Sequence, residues 1–376
     1  MIILKRLFCL NLILLILSCN NLNKRGDTSG YIEQTTRSIN GDSVAINELD
    51  NFLQMQMDSL SIPGLSFAYV SDNKVVYNKN FGVTNTKTQE PVTDSTLFDA
   101  ASISKTVFSF FTLLMVDKGV LNLDTPLYTY LENPDIAYDE RYKKITARMA
   151  LSHTTGFPNW RYLTENGYDP NGKLRIEFEP GTQYQYSGEG FQYLAQVIAH
   201  ILDTDLNGLQ EKMKLELFDP LGMAHNSFVW NEYLEEHRAD GHINGNPDPG
   251  YSSSSKNPEF NAAASLQTNA VTYGKFLSAL MSGKLLSETS HEEMLKVQSS
   301  RPATINRPSV NYGLGVIIDS TAYGIYYGHS GDNGSTASQF LFNKKNKSGY
   351  VFFSNMESNL MYSFDTNLRD FLLNSK

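Results

Sequence analysis

Ser102 and Lys105 stand three residues apart at the head of a helically periodic apolar stretch. Val107, Phe110, Phe111, Leu114 and Met115 form its stripe, and Gly119 closes it. Residues at i and i+3 share a helix face, so the Lys105 amine can reach the Ser102 hydroxyl. A lysine desolvated in a cleft loses basicity and can take the serine proton. The positive end of the helix dipole favours the charge that develops at the nucleophile. The same spacing recurs at Ser71/Lys74, in a hairpin turn, and at Ser253/Lys256, in a polar loop. Alone, the Ser102/Lys105 pair would read as a capping serine followed by a solvated lysine. Two later segments remove that isolation. Tyr186-Ser187-Gly188 leads into a second periodic helix (Phe191, Leu194, Ile198, Ile201), and His329-Ser330-Gly331 ends a strand-like run.

The elements that must position these residues follow from periodicity. A short helix pattern (Leu49, Phe52, Leu53, Met57) precedes two strand-like runs, Leu65–Val70 and Lys74–Phe81, joined by the turn Ser71-Asp72-Asn73. From Ser102 to about Met281 the period is helical, with long loops. After Arg301 strands return at Tyr312–Asp319, Gly324–Tyr327, Ser335–Phe342 and Tyr350–Ser354, and a helical stretch covers Tyr362–Leu373. Strands at both ends around a helical middle predict an α/β fold of the α+β type: one antiparallel sheet built from residues 44–101 and 302–376, with a mostly helical insertion at 102–301. Asn244–Lys256, rich in Gly, Pro and Ser, is expected to be a surface loop.

The N-terminus carries a different message. Lys5 and Arg6 precede an eleven-residue apolar run, Leu7–Leu17, broken only by Asn11. That length suits a signal-peptide core, whereas a membrane-spanning helix needs about 20 residues. Residues 1–18 are therefore expected to be a signal peptide. The run ends Ile16-Leu17-Ser18-Cys19, which resembles the bacterial lipoprotein cleavage box, so Cys19 is expected to carry lipid and hold the protein at a membrane of the cell envelope. Residues 19–43 then read as a polar tether, about 25–30 Å long as flexible coil, and the folded domain as 44–376.

Composition excludes other classes. The net charge of −9 becomes −11 once Lys5 and Arg6 are cleaved off, the wrong sign for nucleic acid. Of two cysteines, Cys9 lies in the signal, which leaves Cys19 with no internal partner and rules out thiol catalysis or a cysteine zinc site. No His-Glu-x-x-His or similar spacing suggests a metal, and no cofactor is expected. His237 and His242 read as surface residues and His153 as structural. Gly328-His329-Ser330-Gly331-Asp332 imitates a Gly-x-Ser-x-Gly elbow, but Asp332 breaks the pattern and strand-like sequence follows where a helix should start.

Ser102-Ile103-Ser104-Lys105, Tyr186-Ser187-Gly188 and His329-Ser330-Gly331 come in the order of the three motifs of serine β-lactamases and penicillin-binding proteins. The surrounding segments resemble the class C β-lactamase, D-aminopeptidase and esterase branch. They include Leu97–Ala101, Gly119–Asp124, Leu151–Gly156, Pro180-Gly181-Thr182, Pro220–Met223 and Tyr312–Gly315, so the likeness runs from about Leu49 to Phe371. The resemblance implies that Ser102 becomes acylated while Lys105 and Tyr186 shuttle its proton. It implies that the backbone N–H groups of Ser102 and Asp332 form an oxyanion hole, with Gly331 and Gly188 beside the substrate. His329 is expected to touch either the substrate or Tyr186.

Two departures shape the expected chemistry. Gly188 stands where the family usually has an Asn that binds a substrate amide. His329 stands in place of a Lys that pairs with a carboxylate, and Asp332 follows the motif. Both point towards an esterase or D-amino-acid peptidase acting on small or uncharged acyl groups of a small-molecule or peptide substrate. A β-lactamase or DD-peptidase and a non-catalytic cell-wall-binding lipoprotein are the alternatives.

Overall fold

The computed structural model describes residues 34–376 except 165–166, 251–258, 306–307 and 375–376. The expected signal peptide, Cys19, the first part of the tether, Ser253/Lys256 and part of the Asn244–Lys256 loop lie outside the described residues.

The chain opens with a ribbon, β1 (Thr35–Arg37) antiparallel to β2 (Ser43–Ala45), followed by helix α1 (Ile46–Leu60). β3 (Gly64–Ser71) and β4 (Lys74–Gly82) form a hairpin, and β5 (Phe98–Asp99) leads to the nucleophile. Helices α2 (Ser104–Asp117), α3 (Ala147–Leu151) and α4 (Gly188–Ile201) lie in the insertion. Two small hairpins, β6 (Leu163–Thr164) with β7 (Gly167–Tyr168) and β8 (His242–Ile243) with β9 (Asn246–Pro247), lie there too. β10 (Gln267–Thr268) pairs with β5. Then come β11 (Ser299–Arg301), β12 (Val310–Tyr312), β13 (Ile317–Thr321), β14 (Gly324–Asp332), β15 (Ala337–Asn343) and β16 (Ser348–Ser354). The main sheet has eight antiparallel strands in the order β11-β12-β13-β14-β15-β16-β3-β4, so both ends of the chain meet at the β16–β3 pair.

The central strands are covered on both faces, and their alternation divides two apolar cores. Leu65, Phe67 and Tyr69 of β3, with Tyr350 and Phe352 of β16, face α1 and the C-terminal helix Ser358–Asn374. Ala68 and Val70, with Val351 and Phe353, face the helix Ala270–Ser282. The β3–β4 turn takes the expected form: Asp72 and Asn73 both have positive φ, +47° and +59°, the conformation that fits a two-residue hairpin to the strand twist.

The structure corrects three boundaries. The run Tyr312–Asp319 is two strands, because Gly315 turns the chain at φ +80° and abuts Ser109, where any Cβ would overlap the hydroxyl. β11 lies inside the span assigned to the helical insertion. The stretch 35–43 is not tether: Ile39 is fully buried, Ser38 Oγ donates to the Leu372 carbonyl, and Asn40 Nδ2 donates to that of Leu373 at 2.8 Å. These polar side chains cap the last carbonyls of the C-terminal helix, which have no partner within it. Among the described residues no helix is long and apolar enough to cross a membrane.

Candidate active site

Ser102 sits in the middle of a 3₁₀ turn, Ala101–Ile103, that runs into α2 at Ser104. The turn is strained and heavily braced. Ala101 has φ +43°, a left-handed conformation rare outside glycine. Its N–H donates to Asp99 Oδ1 at 2.7 Å, and the Ala100 N–H donates to the Leu266 carbonyl at 2.8 Å. Ser338 Oγ donates to the Ala100 carbonyl at 2.8 Å, which ties β15 to the turn. Burial raises the Asp99 carboxyl to about 6, against the Ala101 N–H that favours its ionised form.

Lys105 lies one turn behind Ser102, as the spacing predicts, and only 1% of it is exposed. Its Nζ is 3.4 Å from Ser102 Oγ and donates to the Ala263 carbonyl at 2.9 Å. Burial alone lowers its pKa to about 7. The rings of Tyr186 and Phe191 stand 4.5 and 5.7 Å from Nζ, so an ammonium formed there meets aromatic faces. The Tyr186 hydroxyl is hydrogen-bonded to Ser102, and burial raises its pKa, so it is a phenol at neutral pH. The three candidate catalytic side chains thus converge.

His153 builds the bed for Tyr186. Its carbonyl accepts the Gln185 N–H at 2.8 Å, and its Nδ1 accepts the Ser187 N–H at 3.0 Å. Its ring lies 4.4 Å from that of Tyr186. Nδ1 accepts, so the proton is on Nε2, which is buried and unpartnered; burial and Lys105 keep the ring neutral. The residue read as structural therefore grips the backbone on both sides of Tyr186.

β14 delivers the third motif. Gly331 runs against Ala100, and any Cβ at 331 would overlap the Ala100 carbonyl oxygen and Ser338 Oγ, which is why glycine is required. That approach carries the Asp332 backbone alongside the nucleophile turn. The Asp332 carboxylate turns elsewhere, accepting from the Gly334 N–H at 2.8 Å and from the Ser358 hydroxyl.

Two placements, those of Gly188 and His242, differ from expectation, and His329 takes one of the two contacts expected of it. His329 is 4% exposed; its Nδ1–H donates to the Ser330 carbonyl at 2.7 Å, and its Nε2 accepts the Tyr312 hydroxyl at 2.9 Å. Burial lowers it to about 3. Its ring contact with Tyr186, at 6.1 Å, stands, but it has no free nitrogen for a substrate. Gly188 likewise offers no free amide, since its N–H donates to the Asn159 carbonyl and Oδ1, both at 3.0 Å. His242 is buried and accepts the Thr86 N–H at 3.1 Å, because its loop folds under Thr86, whereas His237 is partly exposed and stacks on Tyr233. Ala263 had no signal in the sequence, because it acts through a backbone carbonyl. Asp99 and Tyr312 lie in family-like segments, but nothing there showed that the Asp99 carboxylate braces Ala101 or that the Tyr312 hydroxyl engages His329. Among the described residues no cluster of side chains could hold a metal ion.

An eight-stranded antiparallel sheet backed by helices, with a Ser-x-x-Lys turn at its centre and a tyrosine above it, defines a β-lactamase-fold protein. The beta-lactamase family model matches residues 49–374, and the chain belongs to that family of hydrolases. Protein flp of Staphylococcus aureus (strain NCTC 8325 / PS 47) is 22% identical over 341 residues, 88% of this chain and 67% of that protein. Among solved structures, the octameric penicillin-binding protein homologue from Pyrococcus abyssi is 22% identical with a TM-score of 0.71, covering 86% of this chain and 78% of that one. The D-amino acid amidase from Ochrobactrum anthropi SV3 complexed with L-phenylalanine amide is 20% identical with a TM-score of 0.70, covering 87% and 98%.

Proposed function

We propose that the chain is a serine hydrolase that acts through an acyl-enzyme at Ser102, on an ester or amide with an uncharged acyl group. The observation that carries this is the Lys105 amine: fully buried, pKa about 7, 3.4 Å from Ser102 Oγ. A lysine with an ordinary pKa would be an ammonium at neutral pH and could not serve as the base. Here the free base takes the Ser102 proton as Oγ attacks the carbonyl carbon. The N–H groups of Ser102 and Asp332 hold the oxyanion. Tyr186, a phenol, passes its proton to the leaving alcohol or amine and is restored from Lys105. Water then attacks the acyl-enzyme by the reverse relay and releases the acid.

The acyl preference rests on what flanks the relay. A neutral, fully engaged His329 offers no cation to a carboxylate, and position 188 carries no carboxamide for a substrate amide. This favours an esterase or D-amino-acid peptidase over a β-lactamase or DD-peptidase. From the N-terminal sequence we further propose an exported lipoprotein, held at a membrane of the cell envelope by lipid on Cys19.

The test is to incubate the full chain, solubilised in mild detergent, with a fluorophosphonate and with a fluorescent penicillin, and to read intact mass. The expected result is one fluorophosphonate adduct on wild type, none on Ser102→Ala, and no penicillin adduct. Penicillin labelling at Ser102 would move the reading to the β-lactam branch. No adduct from either reagent would leave a binding lipoprotein.

A further inference from the structure

The first turn of α4 has no side chain at residue 188, and an indole occupies the space. A Cβ there would lie 2.5–2.8 Å from Cη2, Cζ2 and Cζ3 of Trp160. This start of the helix borders the nucleophile: the ring of Tyr186, two residues before Gly188, lies 4.5 Å from Lys105 Nζ. Gly188 and Gln192 share one helix face at i,i+4. Gln192 Nε2 donates to the Phe260 carbonyl at 3.0 Å and its Oε1 accepts the Ala262 N–H at 3.2 Å; the next carbonyl, Ala263, is the one that receives Lys105.

The residues on either side of Trp160 are tied down. Asn159 accepts the N–H groups of Gly188 and Glu189 on its carbonyl, at 3.0 and 3.1 Å. Arg161 donates its N–H to Glu189 Oε1 at 2.9 Å and its Nη2 to Oε2 at 2.8 Å, with Nη1 on Asp135 at 2.5 Å. Both sequence neighbours of Trp160 are thus tied to α4 or to Asp135, while the tryptophan itself remains partly exposed. A partly exposed indole held between two anchored residues presents flat apolar surface, and aromatic rings pack on it edge-to-face or offset.

We propose that Trp160 determines acyl specificity: it walls the acyl pocket and selects substrates whose acyl group carries a flat apolar or aromatic substituent. The proposal rests on the acyl-enzyme reading for its chemistry, but its binding claim can be tested without it.

With p-nitrophenol as the constant leaving group, the phenylacetyl-to-acetyl ratio of kcat/KM is expected to exceed ten in the wild-type full chain. It is expected to fall at least tenfold in Trp160→Ala and to be largely restored in Trp160→Phe. A ratio unchanged by Trp160→Ala overturns the proposal. The second readout needs no turnover. The chain has two tryptophans, so Trp230→Phe makes Trp160 the sole indole. In Ser102→Ala/Trp230→Phe, methyl phenylacetate is expected to change the emission saturably, with a midpoint at least tenfold below that of methyl acetate. No saturable change, or equal midpoints, overturns the proposal. A responsive Trp160 in a chain inert to fluorophosphonate sinks the acyl-enzyme reading and leaves the subsite standing. A labelled Ser102 with a silent Trp160 does the reverse.

Discussion

Replacing Lys105 with Met keeps an unbranched side chain in the same buried space and removes the amine, so it isolates the cost of a basic group in a dry site. Burial brings the folded-state pKa from 10.5 to about 7. At 1.36 kcal/mol per unit, that difference amounts to roughly 5 kcal/mol. Between pH 7 and 10.5 the unfolded chain binds a proton that the folded chain does not, so the contribution of Lys105 to stability rises with pH across that window. Below pH 7 the buried ammonium carries its full cost; above 10.5 the cost is gone. Lys105→Met should therefore stabilise the fold at pH 6 and lose that advantage at pH 10.5, by up to about 5 kcal/mol. Urea unfolding of both chains at the two pH values measures this, with Ser102→Ala as the control for cavity effects. The same titration predicts that kcat/KM for a p-nitrophenyl ester rises with pH through about 7. Asp99, raised to about 6, is a second buried acid–base group beside the nucleophile turn, and Asp99→Asn should leave the limb in place. An equal stability difference at pH 6 and 10.5, or a limb that vanishes in Asp99→Asn, would refute the assignment of a neutral amine.

Three further outcomes follow from the packing. His153→Phe keeps a ring against Tyr186 but strips the Ser187 N–H of its acceptor, so it should cost roughly 1–3 kcal/mol in thermal unfolding and lower kcat more than it raises KM. Gly331→Ala must push β14 away from Ala100, and fluorophosphonate labelling of Ser102 should slow at least tenfold even where the fold survives. Deleting residues up to Ser43 removes Ile39 and the caps on Leu372 and Leu373, costing roughly 3 kcal/mol in urea unfolding while the labelling rate of Ser102 holds.

Much of this was legible in the residues because it depends on local spacing. The apolar run Leu65–Val70 reads as a strand, period 3.6 in Val107–Met115 marks a helix, and the i,i+3 relation places Lys105 behind Ser102. What stayed hidden depends on chain segments far apart in sequence. Lys105 finds its acceptor at Ala263 through a backbone carbonyl, which any residue type would supply. Ile39 and Asn40 look like linker until Leu372 and Leu373 arrive some 330 residues later to be capped. The absence of a side chain at 188 was visible, but the Trp160 ring that fills the gap was not. His329 reads as a pocket residue by motif, yet the Tyr312 hydroxyl, on another strand, takes up its nitrogen.

The ribbon at the start of the fold also has a mechanical meaning. In the proposed anchored form, any pull from the membrane enters the domain at residue 34. It meets first a pair of three-residue strands and the latch of Ser38 and Asn40 on the C-terminal helix. The ribbon is short, but Ile39 and Val44 pack it into the core beside α1 and the C-terminal helix. In that proposed form, load would reach this ribbon and its latch before it reached the strands that carry β14 and the Ser102 turn.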